Sequence, residues 1–213
     1  MPNVASALIV AAGQGSRLRP FTEETPKPLL EVGGECLLER SVRILRANGI
    51  SDITIVVGYL QEQIRDLFRE SVDYIINEDF ASTNNMVSMF LGREILRTNS
   101  CLYLHADLWY DSELIVSALD GVGDVNFVVD RKACDNEAMK VRVVNGLLTE
   151  ADKEIPLDEA FGEWTGIIRF EPTGADIYLA AVENALTRSK TLYDCAVVRP
   201  LAAGGLPISY TET

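Results

Sequence analysis

Short apolar segments alternate with segments of helical periodicity through the first 130 residues, and this alternation restricts the fold more than any other feature. The pattern predicts strands at residues 5–10, 52–57, 72–76, 101–104 and 125–129. It predicts helices between them at residues 37–48, 61–69, 85–97 and 112–119. A repeated strand–helix–strand order is typical of parallel sheets, because each helix returns the chain to the same edge. We therefore predict an α/β fold, with a mostly parallel sheet and helices on both faces.

The pattern changes after residue 130. Residues 140–144 and 147–149 flank Asn145-Gly146, a dipeptide that favours a tight hairpin turn. A strand is predicted at 166–170, a helix at 177–186 and the start of a strand at 207–210. We expect one domain over residues 1–213 with a small β-rich, substrate-side subregion from about residue 130. Because no final helix follows the last strand, we expect the C-terminal end of the domain to be missing, which is compatible with a fused C-terminal domain.

Composition excludes several classes of protein. The formal net charge of −13 disfavours binding to nucleic acid and to anionic membranes. The sequence has no apolar run of membrane-spanning length and no signal-peptide layout, so we expect a cytoplasmic protein. Its four cysteines are widely spaced, which argues against a disulfide framework or a zinc site. The single histidine, His105, follows a predicted strand, and no nucleophile motif accompanies it.

The segment AAGQGSRLRPFTEETPKPLL, residues 11–30, follows the first predicted strand and concentrates positive charge in an acidic chain. Gly13 and Gly15 allow the backbone to approach a phosphate closely. The segment is not a P-loop, since the G-x-x-x-x-G-K-[ST] pattern is absent. It is a poor dinucleotide fingerprint, since Leu18 stands where a small residue is required. Arg17 and Lys27 fit a triphosphate better, because guanidinium and ammonium groups both bind phosphate oxygens.

The residues VAAGQGSRL at 10–18, followed by TPKPL at 25–29, resemble the signature of the sugar-phosphate nucleotidylyltransferase superfamily. The resemblance continues in ITIVVGY ending at Tyr59, LHAD ending at Asp107 and GEWTGIIRF beginning at Gly162. It implies a Rossmann-like fold of the nucleotide-diphospho-sugar transferase type. It also implies a nucleotide-binding part in residues 1–130 and an acceptor-binding part in residues 131–213.

Within that superfamily, FASTNNMVSMF at residues 80–90 is similar to a segment of the small cytidylyltransferases. DNEAMKV at 135–141, ADKEI at 151–155 and GEWTG at 162–166 fit the same branch. Members of this branch act on phosphocholine and related alcohol phosphates or phosphonates. The resemblance therefore implies CTP as donor and phosphocholine, aminoethylphosphonate or hydroxyethylphosphonate as acceptor. A choline group would favour an aromatic cage, for which Trp109, Tyr110, Trp164 and Tyr193 are candidates.

The resemblance implies that an acceptor oxygen attacks the α-phosphorus of CTP and pyrophosphate leaves. Arg17 and Lys27 would be catalytic, and Asp107 would bind Mg²⁺. The expected nucleotide-binding residues are Val10, Ala11, Ala12, Gly13, Gly15, Ser16, Tyr59 and Asn84. The expected substrate-binding residues are Asn85, Ser88, Trp109, Lys140, Lys153 and Glu163. The superfamily usually has a second metal-binding aspartate near the C-terminus, and PISYTET at 207–213 contains none, so we expect it beyond Thr213 or replaced.

Several alternatives stay open. The chain could transfer a nucleotide from UTP, GTP or dTTP to a sugar 1-phosphate, although Asn84-Asn85-x-x-Ser88 favours the cytidylyltransferases. It could also be a nucleotide-binding regulatory subunit without chemistry, although Arg17, Lys27 and Asp107 argue against this. Asn84 could act only as a helix cap, and Lys140 and Lys153 could be ordinary surface lysines. A homodimer is compatible with the sequence.

Overall fold

The computed structural model describes residues 4–213, which form eleven strands and seven α-helices. The strands are β1 Ser6–Ala11, β2 Glu31–Val32, β3 Glu35–Cys36, β4 Asp52–Val57, β5 Asp73–Ile76, β6 Cys101–His105, β7 Val125–Asp130, β8 Lys140–Val144, β9 Leu147–Asp152, β10 Gly162–Phe170 and β11 Ser209–Glu212. The helices are α1 Leu37–Ala47, α2 Gln61–Phe68, α3 Asn85–Leu91, α4 Arg93–Thr98, α5 Ser112–Leu119, α6 Pro172–Leu186 and α7 Val198–Ala203.

Nine strands form one sheet, whose main path runs β11-β7-β10-β6-β1-β4-β5. Six of these seven strands point the same way, and only β10 is antiparallel to its neighbours β6 and β7. The hairpin of β8 and β9 joins the sheet through a short pairing of β8 with β10. The predicted α/β fold with a mostly parallel sheet is therefore confirmed.

The core lies on both faces of this sheet, because successive side chains of a strand point to opposite sides. On β1, Leu8 and Val10 pack into one apolar cluster with residues of α3 and α6. Ala7, Ile9 and Ala11 pack into the other cluster with residues of α1 and α2. All five side chains are buried, which explains why β1 reads as a continuous apolar run.

Local signals predicted most elements, and tertiary packing accounts for the exceptions. The predicted helix at 85–97 is two helices, α3 and α4, which meet at Gly92. A Cβ at Gly92 would lie 2.4 Å from Leu8 Cδ2. The glycine therefore allows the backbone between the two helices to pack closely against β1. The predicted turn is confirmed, since Asn145 and Gly146 both have positive φ between β8 and β9. The sequence pattern does not indicate α7 or the two-residue strands β2 and β3.

Strand β10 connects the two halves of the chain. It starts at Gly162, four residues before the predicted strand, and pairs with β6 on one side and β7 on the other. Its register with β7 shifts between Trp164 and Ile168, where Gly166 has a φ of 88°. Residues 131–213 thus share one sheet with residues 4–130. Over the described residues, no helix combines the length and the hydropathy needed to cross a bilayer.

Candidate functional site

A cavity of about 410 Å³ opens at the carboxyl ends of β1 and β6. The two strands are parallel neighbours, so the loops that follow Ala11 and His105 lie side by side. In open α/β sheets this edge is where ligands bind. Three segments line the cavity, and their lining residues are Val10–Leu18 with Lys27 and Pro28, then Asn77, Phe80, Ala81, Thr83, Asn84, Asn85 and Ser88, and finally His105, Ala106 and Asp107.

The glycine-rich loop is folded back on itself at the mouth of the cavity. Gly15 has a φ of 61°, and a Cβ there would lie 3.0 Å from the Cβ of Lys27. The Thr22 hydroxyl donates a 2.9 Å hydrogen bond to the Gly15 carbonyl. The Tyr59 hydroxyl donates to the carbonyls of Thr22 and Glu23, at 3.1 and 2.8 Å. Tyr59, which was predicted to bind nucleotide, does not line the cavity. Its two hydrogen bonds instead stabilise the loop.

Lys27 and Asp107 meet inside the cavity. Lys27 begins a short 3-10 helix after Pro26, and its ammonium donates to Oδ2 of Asp107. Partial burial raises the pKa of the Asp107 carboxyl, but the attraction of Lys27 and His105 outweighs burial and leaves this pKa below its usual range. The carboxylate is therefore ionised at neutral pH and offers oxygen atoms to a cation.

Arg17 supplies a second positive charge at the cavity. Its side chain is exposed and lines the cavity next to Ser16. Within residues 4–213 no acidic side chain forms an ion pair with Arg17. The guanidinium is thus available to an anion from solution. Gly13 is also exposed on the lining, and a Cβ at Gly13 would have no neighbour within 4 Å.

The first turn of α3 forms another wall of the cavity. The Asn84 side chain accepts from the backbone N–H of Asn85 at 2.8 Å, so it caps the helix as one interpretation of the sequence proposed. Its amide also donates to the Thr191 carbonyl at 3.3 Å. The Ser88 hydroxyl is buried and accepts from the Asn77 amide at 3.2 Å. Asn84, Asn85 and Ser88 all line the cavity.

His105 lines the cavity beside Asp107. On the side away from the cavity it contacts Asp194, a residue that the sequence did not indicate. The distance from His105 Nε2 to Asp194 Oδ2 is 2.7 Å, and the Asp194 side chain is fully buried. Burial lowers the pKa of the His105 imidazole, but the charge of Asp194 and its hydrogen bond together raise this pKa above its usual value. Asp194 lies on a short 3-10 helix, Asp194–Val197, and no motif in the sequence marks it.

The other predicted substrate-binding residues fall in different places. Trp109 and Glu163 line a second cavity of about 600 Å³, whose lining includes Leu108, the residue after Asp107 of the first cavity. Lys153 pairs with Glu137 at 3.1 Å outside both cavities. Lys140 is only 2% exposed, and its ammonium donates to the carbonyls of Asp135 and Ala138, both at 3.4 Å. The structure therefore does not bring the two lysines to either cavity.

The four aromatic residues proposed for a choline cage are buried, packed against another side chain or outside the second cavity. The Arg40 guanidinium lies 4.3 Å from the centre of the Trp109 ring. Tyr110 and Trp164 line the cavity but are only 7% and 4% exposed. Tyr193 does not line this cavity. Lys132 occupies the acidic side, with its ammonium 3.0 Å from Asp130 and 2.8 Å from Glu163. An open aromatic cage for a choline group is not formed in this arrangement.

One protein carboxylate is available for a metal ion at the first cavity. No cluster of three or more histidine, cysteine, aspartate or glutamate side chains occurs in the part of the chain that the structure describes. Mg²⁺ commonly takes one or two protein carboxylates and completes its shell with water and substrate phosphates. The ionised Asp107 on the cavity lining fits such a partial site.

These features define an α/β domain with a cationic loop and a carboxylate at one sheet edge. The sequence matches the family described as the MobA-like NTP transferase domain over residues 7–145, more than half of its length. The chain belongs to this family.

Comparison with individual proteins agrees with this assignment. The chain is similar to the choline-phosphate cytidylyltransferase of Streptococcus pneumoniae, with 40% identity over 62% of this chain and 56% of the relative. It is also similar to the 2-aminoethylphosphonate cytidylyltransferase of Lancefieldella rimae, with 35% identity over 52% of this chain and 46% of the relative. These matches thus span about half the length of the two relatives. Both relatives are named cytidylyltransferases, which confirms the resemblance found in the sequence.

Solved structures show the same fold. The structure of a CTP:phosphocholine cytidylyltransferase from S. pneumoniae superposes with a TM-score of 0.73 at 25% identity, covering 98% of this chain and 90% of that one. The inositol-1-phosphate CTP transferase from T. maritima superposes with a TM-score of 0.83, covering 100% of this chain and 87% of that one. Its identity of 19% makes it evidence for the fold alone.

Proposed function

We propose that this chain is a cytidylyltransferase, which transfers CMP from CTP to a small phosphorylated alcohol or phosphonate and releases pyrophosphate. The observation that carries the proposal is the meeting of Lys27 and Asp107 in a cavity bordered by the glycine-rich loop. The cytidylyltransferases to which the chain is similar support the choice of CTP. The acceptor class rests on the same relatives and includes phosphocholine, aminoethylphosphonate and hydroxyethylphosphonate.

In the proposed reaction, an oxygen of the acceptor forms a bond to the α-phosphorus of CTP. The bond from that phosphorus to the bridging oxygen breaks, and pyrophosphate leaves with the electron pair. Such transfers depend mainly on positioning and on neutralising charge. Arg17 and Lys27 supply positive charge, and the exposed backbone around Gly13 allows close approach of the nucleotide. Asp107 would hold Mg²⁺, which when bound neutralises phosphate charge.

In this proposal, different walls of the cavity bind the nucleotide and the acceptor. The glycine-rich loop holds the nucleotide, because the basic side chains of Arg17 and Lys27 both line the cavity. Asn85 and Ser88 on α3 face the same space and contact the acceptor. The second cavity, with Trp109 and Glu163, then receives the far end of the acceptor beyond Asp107.

The test is release of pyrophosphate with Mg²⁺, CTP and a panel of acceptors: phosphocholine, phosphoethanolamine, aminoethylphosphonate, hydroxyethylphosphonate and glucose 1-phosphate. UTP, GTP, ATP and dTTP run beside CTP. Lys27→Ala is the inactive control, and Lys153→Ala, on the surface away from both cavities, is the matched lysine control. Release with CTP and a small acceptor is the expected result. Release only with glucose 1-phosphate and another nucleotide, or with no combination, contradicts the proposal.

A further inference from the structure

Behind the first cavity, the side chains of Asp194, His105 and Tyr103 form a hydrogen-bonded cluster that the reaction described above does not use. Oδ2 of Asp194 accepts from Nε2 of His105 at 2.7 Å and from the Tyr103 hydroxyl. Oδ1 accepts from the backbone N–H of Cys195 at 3.1 Å. Within residues 4–213, His105 is the only basic side chain that pairs with this carboxylate. A fully buried carboxylate is stable only with such partners, so the pairing fixes both groups.

The imidazole of His105 is also fixed by β10. The ring centre of Trp164 lies 5.0 Å from that of His105, edge to face. A Cβ at Gly166 would lie 3.1 Å from Nδ1 of His105, so the ring packs directly against the glycine. These two residues belong to the GEWTG segment, which the sequence pattern singled out and in which the proposed reaction gives a role only to Glu163. His105 is therefore held in one orientation by side chains from several elements.

This orientation determines how Asn85 faces the cavity. Nε2 of His105 carries a hydrogen, since it points at the Asp194 carboxylate. The same nitrogen lies 3.4 Å from Nδ2 of Asn85, which would place two donors face to face. The amide oxygen and nitrogen are assigned from such networks, and exchanging them removes the conflict. Oδ1 of Asn85 then faces the Nε2–H group that Asp194 holds, and the NH₂ group takes the other position of an amide on the cavity lining.

We propose that Asp194, acting through His105, fixes the Asn85 amide with its NH₂ group facing the cavity, where it donates a hydrogen bond to a phosphate or phosphonate oxygen of the acceptor. The inference rests on the proposed function. Asn85 contacts substrate, whereas His105 and Asp194 are positioning residues. An amide NH₂ suits this task, because it donates two hydrogen bonds and adds no charge beside Lys27 and Asp107.

A double-mutant cycle tests whether His105 acts through Asn85. Asn85→Ala and His105→Leu are each expected to lower kcat by about tenfold or more, while KM for CTP stays near its wild-type value because the glycine-rich loop is intact. The double variant is expected to be no slower than the slower single variant, because both remove the same contact. His105→Gln, which keeps an N–H donor for Asp194, is expected to recover most of the loss.

Asp176→Asn is the control for loss of a carboxylate, since Asp176 pairs with Arg97 at 3.0 Å away from the cavity. It is expected to leave kcat unchanged. Should His105→Leu not fold, because Asp194 then lacks its partner, Asp194→Asn replaces it in the cycle. Additive losses, or wild-type kcat in the His105 and Asp194 variants, would overturn the inference and leave the proposed function standing.

An NMR measurement tests the arrangement without turnover. His105 is the only histidine, so imidazole spectra report on this residue alone. A downfield, slowly exchanging Nε2–H proton is expected in the wild type and is expected to be lost in Asp194→Asn. The side-chain NH₂ signals of Asn85 are expected to shift in His105→Gln and not in Asp176→Asn. Absence of the downfield proton, or an unshifted Asn85 amide, would overturn the inference even in an active enzyme. Failure of the wild type to release pyrophosphate would count only against the proposed function.

Discussion

The ammonium of Lys27 and the carboxylate of Asp107 form an ion pair although 80 residues separate them in sequence. The loop after β1 carries Lys27, and the segment after β6 carries Asp107. Because these strands are parallel neighbours, their carboxyl ends place the two charges in one cavity. The pair is about one-third exposed on each side, with 33% for Lys27 and 35% for Asp107. It is therefore accessible to a ligand in the cavity.

Lys27→Ala is expected to lower the rate of pyrophosphate release by at least about a hundredfold, because a fixed positive charge next to the triphosphate is lost. The free energy of unfolding is expected to change by less than about 1 kcal/mol, because partly exposed ion pairs contribute little to stability. Steady-state kinetics and urea unfolding measure the two effects. A variant that turns over normally would contradict a catalytic role for Lys27, and one that unfolds much more easily would show that the pair stabilises the fold.

Gly13→Ala is expected to weaken CTP binding without loss of stability, whereas Gly58→Ala is expected to lower stability. A Cβ at Gly13 meets no atom within 4 Å, so stability should change by less than about 0.5 kcal/mol. The same Cβ occupies space next to the nucleotide, so KM for CTP should rise about tenfold. A Cβ at Gly58 would lie 2.8 Å from Phe80 Cβ and 2.9 Å from the Ala12 carbonyl, which predicts a loss of about 1–3 kcal/mol.

Thermal unfolding and the dependence of rate on CTP concentration measure these two substitutions. The opposite result, a Gly13→Ala variant that unfolds easily and binds CTP normally, would contradict the assignment of the loop to the nucleotide.

Features that depend on local sequence were predictable. Strands and helices follow from the spacing of apolar residues, and the position of a loop after a parallel strand follows from their order. For this reason the sequence placed Arg17, Lys27 and Asp107 at one edge of the sheet, and the structure brings all three to the same cavity. The assignment of Asn85 and Ser88 to substrate binding rested instead on the resemblance to the small cytidylyltransferases, and both residues line the cavity.

Features that depend on distant pairing were not predictable. Nothing in residues 162–170 indicates that β10 inserts antiparallel between β6 and β7. The contact of His105 with Asp194 spans 89 residues and has no sequence signal on the Asp194 side. Burial of Lys140 follows from packing of the β8–β9 hairpin against β10, whereas a lysine in an alternating strand reads as exposed. These interactions depend on tertiary contacts, which produce no periodic pattern in the sequence.

The four cysteines are expected to react with a thiol reagent at very different rates. Burial raises the pKa of Cys36 to about 11 and that of Cys101 to about 12, and it raises the pKa of Cys195 well above its usual value. Burial also raises the pKa of Cys134, but this residue is only partly buried and its thiol is accessible to the reagent. Because the thiolate is the reactive form, at pH 8 one thiol, Cys134, should react quickly in the native protein.

Colorimetric titration with a disulfide reagent measures this, with denatured protein as the reference for four thiols. Cys134→Ser should remove the fast phase. Two or more fast thiols in the native protein would contradict the packing of the buried cysteines.

Lys140→Met distinguishes the role predicted from sequence, binding of the acceptor, from the position that the structure gives this side chain. Lys140 is 2% exposed and lines neither cavity, and its ammonium has only two carbonyl contacts of 3.4 Å. Burying a charge with so few partners is unfavourable, and methionine fills a similar volume without the charge. The free energy of unfolding is therefore expected to stay unchanged or rise by about 1 kcal/mol, with kcat/KM for the acceptor unaltered.

Lys153→Met, at an exposed pair with Glu137, is the control and should change neither quantity. A Lys140→Met variant of wild-type stability that loses kcat/KM for the acceptor would instead establish that Lys140 reaches the substrate.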